Sequence, residues 1–278
     1  MVRFRSTMPF THELNLVTEA VRRAMALLLR HYATEFAVDW KSEGDPVTAA
    51  DRAVNALLVE SLRAGFPGDG ICAEESDGVE AARAAGAGGR CWFVDPLDGT
   101  REFVQRNGEF CTMVGLAVGG EATLGVVGVP TTGEVWVGVV GEGAWSLDPA
   151  GGRRPLRVVP PGEGAPLRAV VSRSHPHPDT RAALARLGDT RLVPCGSVGL
   201  KVGRVAEGAA DLYLHLGGGP KLWDGCGPEA IARAAGAAVL DTQGHPLRYD
   251  TADLGLDRGL VVAHPTLLPR LWEALGRS

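Results

Sequence analysis

Apolar residues return at every third or fourth position through the opening of the chain. Leu14, Val17, Val21, Met25 and Leu28 share one face, which predicts an amphipathic helix over residues 12–31. Thr48 opens a second helix, with Val54, Leu57, Leu58 and Leu62 on its apolar side. The period then changes. Trp92, Phe93 and Val94 form a short continuous apolar run that reads as a buried strand. Over residues 110–147, short β-rich runs are cut by Gly119-Gly120, Thr132-Gly133 and Gly141, the pattern of an antiparallel meander. The Ala/Gly-rich stretch 81–89 reads as a mobile surface loop. Residues 160–166, with three prolines and two glycines, are the strongest linker signal, and they divide the chain into subdomains 1–160 and 161–278. Beyond the linker, strands are expected near 168–171, 192–193, 211–214, 238–240 and 260–263. Helices are expected near 182–187, 198–207, 228–235 and 267–275. Helices and strands in both halves predict a layered α/β (α+β) protein.

Composition narrows the class. A chain of 278 residues with 45% hydrophobic and 22% charged content has material for an ample core. A net charge of −5 argues against a partner such as a nucleic-acid polymer, which needs a basic face. A phosphorylated ligand would therefore be received by local charge: metal ions, arginines or backbone N–H groups. Five cysteines, with no Cys-x-x-Cys pair, indicate neither a disulfide framework nor a zinc site, and a reducing cytoplasmic location is expected. No apolar run reaches membrane-spanning length, and residues 1–9 read as a loose tail rather than a leader, so no membrane partner is expected. Lysine is confined to Lys41, Lys201 and Lys221.

The candidate chemistry is acidic. Asp95 and Asp98 follow the Trp92–Val94 run on a rigid turn made of Pro96 and Gly99, and Thr100 opens the next element. Two carboxylates held this close repel each other unless a divalent cation sits between them. The alternative is an ordinary Asp-Pro/Asp-Gly turn. Upstream, Cys72-Ala73 leads into Glu74-Glu75, which could equally be a solvated loop. Downstream, Trp223-Asp224 precedes Gly225-Cys226-Gly227-Pro228-Glu229, where Asp224 could simply be the N-cap of a helix beginning at Pro228. Asp51 is a fifth candidate acid, although Thr48-x-x-Asp51 is also a capping-box pattern. All-oxygen ligation by such a set favours Mg²⁺ or Mn²⁺ over Zn²⁺. Other chemistries fit worse. Cys195 breaks the Gly-x-Ser-x-Gly nucleophile elbow around Ser197, no P-loop pattern exists, and His12-Glu13 lacks a second histidine.

Glu74-Glu75, Asp95 to Thr100 and Trp223-Asp224 resemble the three signature segments of the inositol monophosphatase superfamily, Mg²⁺-dependent and lithium-sensitive phosphomonoesterases. The resemblance runs from Lys41 to Tyr249. It is closer to the 3′(2′),5′-bisphosphate nucleotidases through Asp45 to Asp51, Arg101 to Phe103, Arg106 to Phe110, Ser172 to His175, and Gly196 to Lys201. The resemblance implies a five-layer α-β-α-β-α sandwich of the inositol monophosphatase/fructose-1,6-bisphosphatase type. It implies two or three Mg²⁺ ions, with Mn²⁺ as a substitute. Glu74, Asp95 and the Leu97 carbonyl would hold the first, Asp95, Asp98 and Asp224 the second, and a weaker third would lie near Glu74. Thr100, hydrogen-bonded to Asp51 as terminal proton acceptor, would position the attacking water. Gly99, Thr100 and Asp224 would meet the substrate, and Arg101 is a further phosphate candidate. Ser172, His175, Ser197 and Lys201 match positions that contact the adenosine 5′-phosphate. The implied reaction is removal of the 3′-phosphate of adenosine 3′,5′-bisphosphate to give AMP, with the 5′-phosphosulfate form as a second substrate. Inositol monophosphatase or fructose-1,6-bisphosphatase activity is the alternative within the superfamily, and a nucleotide-binding regulator with weak catalysis the alternative outside it. A homodimer is compatible with the resemblance. Gly225 and Gly227 stand where relatives usually carry Thr and Ala, which predicts a looser backbone after Asp224. Asp45 replaces a common Ser.

Overall fold

The computed structural model describes residues 8–34, 38–42, 45–76 and 89–277. Most of the expected tail at 1–9 and nearly all of the expected loop at 81–89 therefore lie outside the described residues. Helix α1 (Thr11–Tyr32) buries Leu14, Val17, Val21, Met25 and Leu28, the face read from the spacing. A hairpin of β1 (Val38–Ser42) and β2 (Asp45–Thr48) leads into α2 (Ala49–Gly65). Thr48 is the N-cap of α2, its Oγ1 accepting the Ala50 N–H at 3.1 Å.

Both helices cover one face of a seven-stranded sheet. It consists of β3 (Gly70–Ala73), β4 (Arg90–Asp98), β5 (Cys111–Val118), β6 (Glu121–Val129), β7 (Glu134–Val139), β8 (Gly143–Leu147) and β9 (Arg153–Leu156), neighbours in that order. Only β3 and β4 pair in parallel; the rest is the expected meander, extended by β9. A short helix, α3 (Thr100–Val104), follows β4 directly.

The second half supplies β10 (Leu167–Ser172), α4 (Pro178–Ala185), β11 (Thr190–Cys195), α5 (Val198–Ala206), β12 (Leu212–His215), α6 (Leu222–Ala234), β13 (Ala238–Leu240), β14 (Leu260–Ala263) and α7 (Leu268–Ala274). Its five strands form a mixed sheet ordered β11-β10-β12-β14-β13.

Strand alternation sorts the side chains into layers. Trp92 and Val94 of β4 pack with α1 and α2, while Cys91 and Phe93 face the other way into a cluster with Val202 and Val205 of α5 and Ile231 of α6. Val170 and Tyr213 of the second sheet join that same middle cluster. Leu167, Ala169 and Val171 turn outward onto Leu184 of α4 and Leu271 of α7. The order is therefore helix, sheet, helix, sheet, helix: the five-layer α-β-α-β-α sandwich.

One helix differs from its expected extent. α6 begins at Leu222 instead of Pro228, its N-cap is Lys221, and Asp224 lies inside its first turn. Pro228 sits within the helix, where it removes the i→i−4 donor to the Asp224 carbonyl. Packing overrides this poor local propensity. A Cβ on Gly115 of β5 would lie 2.4 Å from the Gly227 nitrogen, and one on Gly125 of β6 would lie 2.0 Å from the Gly227 oxygen. The helix backbone rests directly on the sheet. Gly227 thus permits a close approach of helix to sheet, and a Cβ on Gly225 would lie 3.0 Å from the Leu256 and Tyr249 side chains.

Candidate active site

The Asp95 and Asp98 side chains are brought together by an irregularity in β4. Residues three apart on a regular strand point to opposite faces. Here Asp95 pairs with Met113 and Asp98 with Cys111, so three steps on β4 oppose two on β5. That bulge turns both carboxylates to one side. The segment is a strand end with a bulge rather than the free-standing turn the sequence suggested. Asp224 arrives from the first turn of α6, its Oδ2 accepting the Lys221 N–H at 2.5 Å. One oxygen from each of Asp95, Asp98 and Asp224 lies within 4.8 Å of the others.

Three carboxylates this close, largely removed from water, resist ionisation. Burial, then the charges of Glu74, Asp98 and Asp224, pushes the Asp95 carboxyl well up. Burial and then Asp98 raise Asp224 to about 7. Asp98 is also raised by burial, but Lys201, the Ser197 hydroxyl and the Gly199 N–H each pull it back. An all-carboxylate cluster of this kind fits a hard divalent cation, whose charge removes the repulsion.

The candidate proton path is equally compact. Thr100 Oγ1 lies 3.1 Å from Asp51 Oδ1 and 3.0 Å from the Leu97 carbonyl oxygen. A hydroxyl has one proton, so these two acceptors compete for it. The other Asp51 oxygen accepts the Thr48 N–H at 2.8 Å and the Thr48 hydroxyl at 2.6 Å. The capping box and the Thr100 contact coexist on one carboxylate, which burial raises and the Thr48 hydrogen bonds partly lower. Gly99 has φ of 91°, and a Cβ there would sit 2.9 Å from the Glu109 carbonyl oxygen. Both conditions require glycine.

Glu74, Asp95, Leu97, Asp98, Gly99, Thr100, His175, Ser197, Lys201 and Asp224 all line one cleft of about 670 Å³. Asp51 joins it through Thr100. Ser172 does not line it; its hydroxyl accepts the His175 N–H at 3.1 Å and shapes the turn that carries His175. Ser197 points at the cluster itself, donating to Asp98 Oδ2 at 2.5 Å, while the Gly199 N–H donates to the same oxygen at 2.7 Å. Lys201 is buried, its ammonium 5.6 Å from the Tyr213 ring centroid. The cleft also includes Glu102 and Trp223, which the sequence offered only as members of longer motifs, and Lys221. Glu102 is buried and accepts from the Ser174 hydroxyl.

A five-layer sandwich with carboxylates from both halves at one cleft defines a class of layered α/β proteins with a candidate metal centre. The chain belongs to the inositol monophosphatase family, whose model matches residues 11–277. It is 35% identical over 252 residues to the 3′(2′),5′-bisphosphate nucleotidase CysQ of Escherichia coli K12, covering 90% of this chain and 99% of that one. The Salmonella typhimurium CysQ is 37% identical over 222 residues, 80% of this chain and 87% of the relative. Among solved structures, CysQ from Bacteroides thetaiotaomicron superposes with a TM-score of 0.78 at 30% identity, covering 92% of this chain and 98% of that one. The suhB protein of Bartonella henselae, at 23% identity, shares the fold with a TM-score of 0.79 over 95% of this chain and 98% of that one. Among the described residues no helix is long and apolar enough to cross a membrane.

Proposed function

We propose that this chain is a Mg²⁺-dependent phosphomonoesterase that removes the 3′-phosphate of adenosine 3′,5′-bisphosphate. The observation that carries the phosphatase reading is the Asp95–Asp98–Asp224 cluster, assembled from both halves beside the Thr100–Asp51 pair. Similarity to CysQ nucleotidases over nine-tenths of the chain supports the nucleotide substrate. Bound Mg²⁺, or Mn²⁺ in its place, would neutralise the cluster, polarise the phosphoryl oxygens and lower the pKa of water. Glu74, Asp95 and the Leu97 carbonyl would hold one such ion, and Asp95, Asp98 and Asp224 another.

The chain's own residues do the rest. The Thr100 hydroxyl, within reach of Asp51, would give its proton to that carboxylate and leave its lone pairs to orient the attacking water. Asp51, raised above an ordinary carboxylate by burial, is the stronger base for it. His175 and Lys201 supply cleft cations for the phosphate that stays on the product. Ser197 holds Asp98, and Ser172 holds the His175 turn. The cleft lies between subdomains 1–160 and 161–278. Five buried cysteines, all free, suit a reducing cytoplasm.

The test is a substrate panel on purified protein with Mg²⁺: adenosine 3′,5′-bisphosphate and its 5′-phosphosulfate form against inositol 1-phosphate and fructose 1,6-bisphosphate. Higher kcat/KM on the bisphosphorylated nucleotides is expected. Preference for inositol 1-phosphate would overturn the nucleotidase reading and leave the phosphatase reading standing.

A further inference from the structure

Ser197 is held in an unfavourable conformation, and the structure shows what holds it. Its φ of 56° lies in the left-handed region, uncommon for a residue with a side chain. That conformation is what lets the Ser197 hydroxyl and the Gly199 N–H converge on one oxygen of Asp98. The residue before it, Gly196, donates its N–H to Glu109 Oε2 at 2.7 Å. Glu109 is gripped in turn by both arms of Arg173. The Arg173 Nε reaches Oε2 at 2.7 Å and Nη2 reaches Oε1 at 2.7 Å, a bidentate pair. The same Nη2 donates to the Pro194 carbonyl at 3.0 Å, and the Arg173 N–H to that of Cys195 at 3.1 Å. There is no slack at the junction. A Cβ on Gly196 would lie 2.4 Å from Glu102 Cγ and 2.8 Å from the Glu109 carbonyl oxygen.

We infer that Glu109 and Arg173 form a positioning clamp, which fixes the Gly196–Ser197 turn and thereby the orientation of Asp98 in the carboxylate cluster. Glu109 precedes β5 in the first half, whereas Arg173 and Gly196 follow β10 and β11 in the second. One carboxylate thus ties the second half's Asp98-holding turn to the strand pair from which Asp98 projects. Neither residue lines the cleft. Neither is a catalytic residue; both act through Ser197 and Gly199. The inference rests on the reading of Asp98 as a metal ligand, but not on which phosphate ester is the substrate.

The experiment is calorimetric titration with Mn²⁺ alone of the full chain, wild type against Glu109→Ala, Arg173→Ala, Arg173→Lys and the Glu109→Ala/Arg173→Ala pair. Melting temperatures are recorded alongside. Removing a group that orients a metal ligand costs about 10- to 100-fold in metal affinity, and that loss is expected for either alanine variant. The double variant should lose no more than the worse single one, because both act on the same turn. Arg173→Lys keeps the charge but not the fork and should fall between. Mn²⁺ affinity within about twofold of wild type in folded alanine variants, or losses that multiply in the double variant, would overturn the clamp. Should the alanine variants fail to fold, unchanged Mn²⁺ affinity in Arg173→Lys together with a lowered melting temperature would overturn it equally. Failure of the wild type to bind Mn²⁺ at all would instead remove the metal-centre reading beneath it.

Discussion

Glu229→Gln should make this protein more stable at alkaline pH. Glu229 lies on α6, the helix whose first turn carries Asp224, and it is only 2% exposed. Its Oε2 accepts the Tyr249 hydroxyl at 2.6 Å and its Oε1 the Arg233 Nη1 at 3.3 Å. Burial nevertheless wins, lifting the carboxyl from 4.5 to about 7, with those two donors only partly opposing it. The folded state therefore binds this proton more tightly than the unfolded state does. At acidic pH the group is neutral in both states and costs nothing. As pH rises past 4.5 the unfolded chain ionises first, and stability falls until the folded carboxyl also ionises near 7. At about 1.36 kcal/mol for each pH unit between those values, the loss totals about 3 kcal/mol. Glutamine keeps the volume and an acceptor oxygen but cannot ionise. Urea denaturation of wild type and variant at about pH 4.5 and about pH 8.5 reads the effect. The other buried carboxylates are shared and cancel in the difference. The variant should be close to wild type at the lower pH and about 2–3 kcal/mol more stable at the higher one. Parallel pH curves for the two proteins would refute the reasoning.

Two further outcomes test the cluster. Chelation by EDTA should abolish phosphatase activity and Mg²⁺ should restore it, measured as phosphate release; full activity in metal-free buffer would exclude the proposed role of the carboxylates. Asp95→Asn and Asp98→Asn should each lower kcat at least ~10²-fold, while the metal-free melting temperature holds or rises because like-charge repulsion is relieved; near-wild-type turnover would reduce the segment to a bulged strand end.

What the sequence conveyed was local, and what it hid was long-range. The α1 face and the meander follow from periodicity, because each depends on residues a few positions apart. The carboxylates of Asp95 and Asp98 stand out for the same reason, but the bulge that aligns them is set by pairing with Met113 and Cys111 on another strand. Pro228 is an ordinary helix-start signal, yet α6 starts at Leu222 because Gly227 can lie against β5 and β6. No propensity encodes that contact. Ser172 and Ser197 belong to similar short motifs, but one hydroxyl shapes the His175 turn and the other reaches Asp98 across the fold. Glu109 and Arg173 each fall inside a stretch that resembles the nucleotidases, but neither residue's spacing predicts that the two pair.

The electrostatics of the cluster are uneven, and this bears on how the two halves cooperate. Asp98 is compensated from within the protein: Lys201, Ser197 and Gly199 all come from the start of α5 and all lower its pKa. Asp95 accepts the Leu97 N–H at 3.0 Å and shares a hydrogen bond with Asp224 that raises it further, against the charges of three neighbouring acids. A cation entering the cleft therefore relieves most at Asp95, where burial and the charges of Glu74, Asp98 and Asp224 all raise the carboxyl. On the Asp98 side a lysine and two hydrogen bonds partly offset the burial that raises this carboxyl, and they hold it in one orientation. The α5 start that supplies this relief belongs to the second half of the chain and the carboxylate it serves to the first, so neither half contains the cluster and its supports alone.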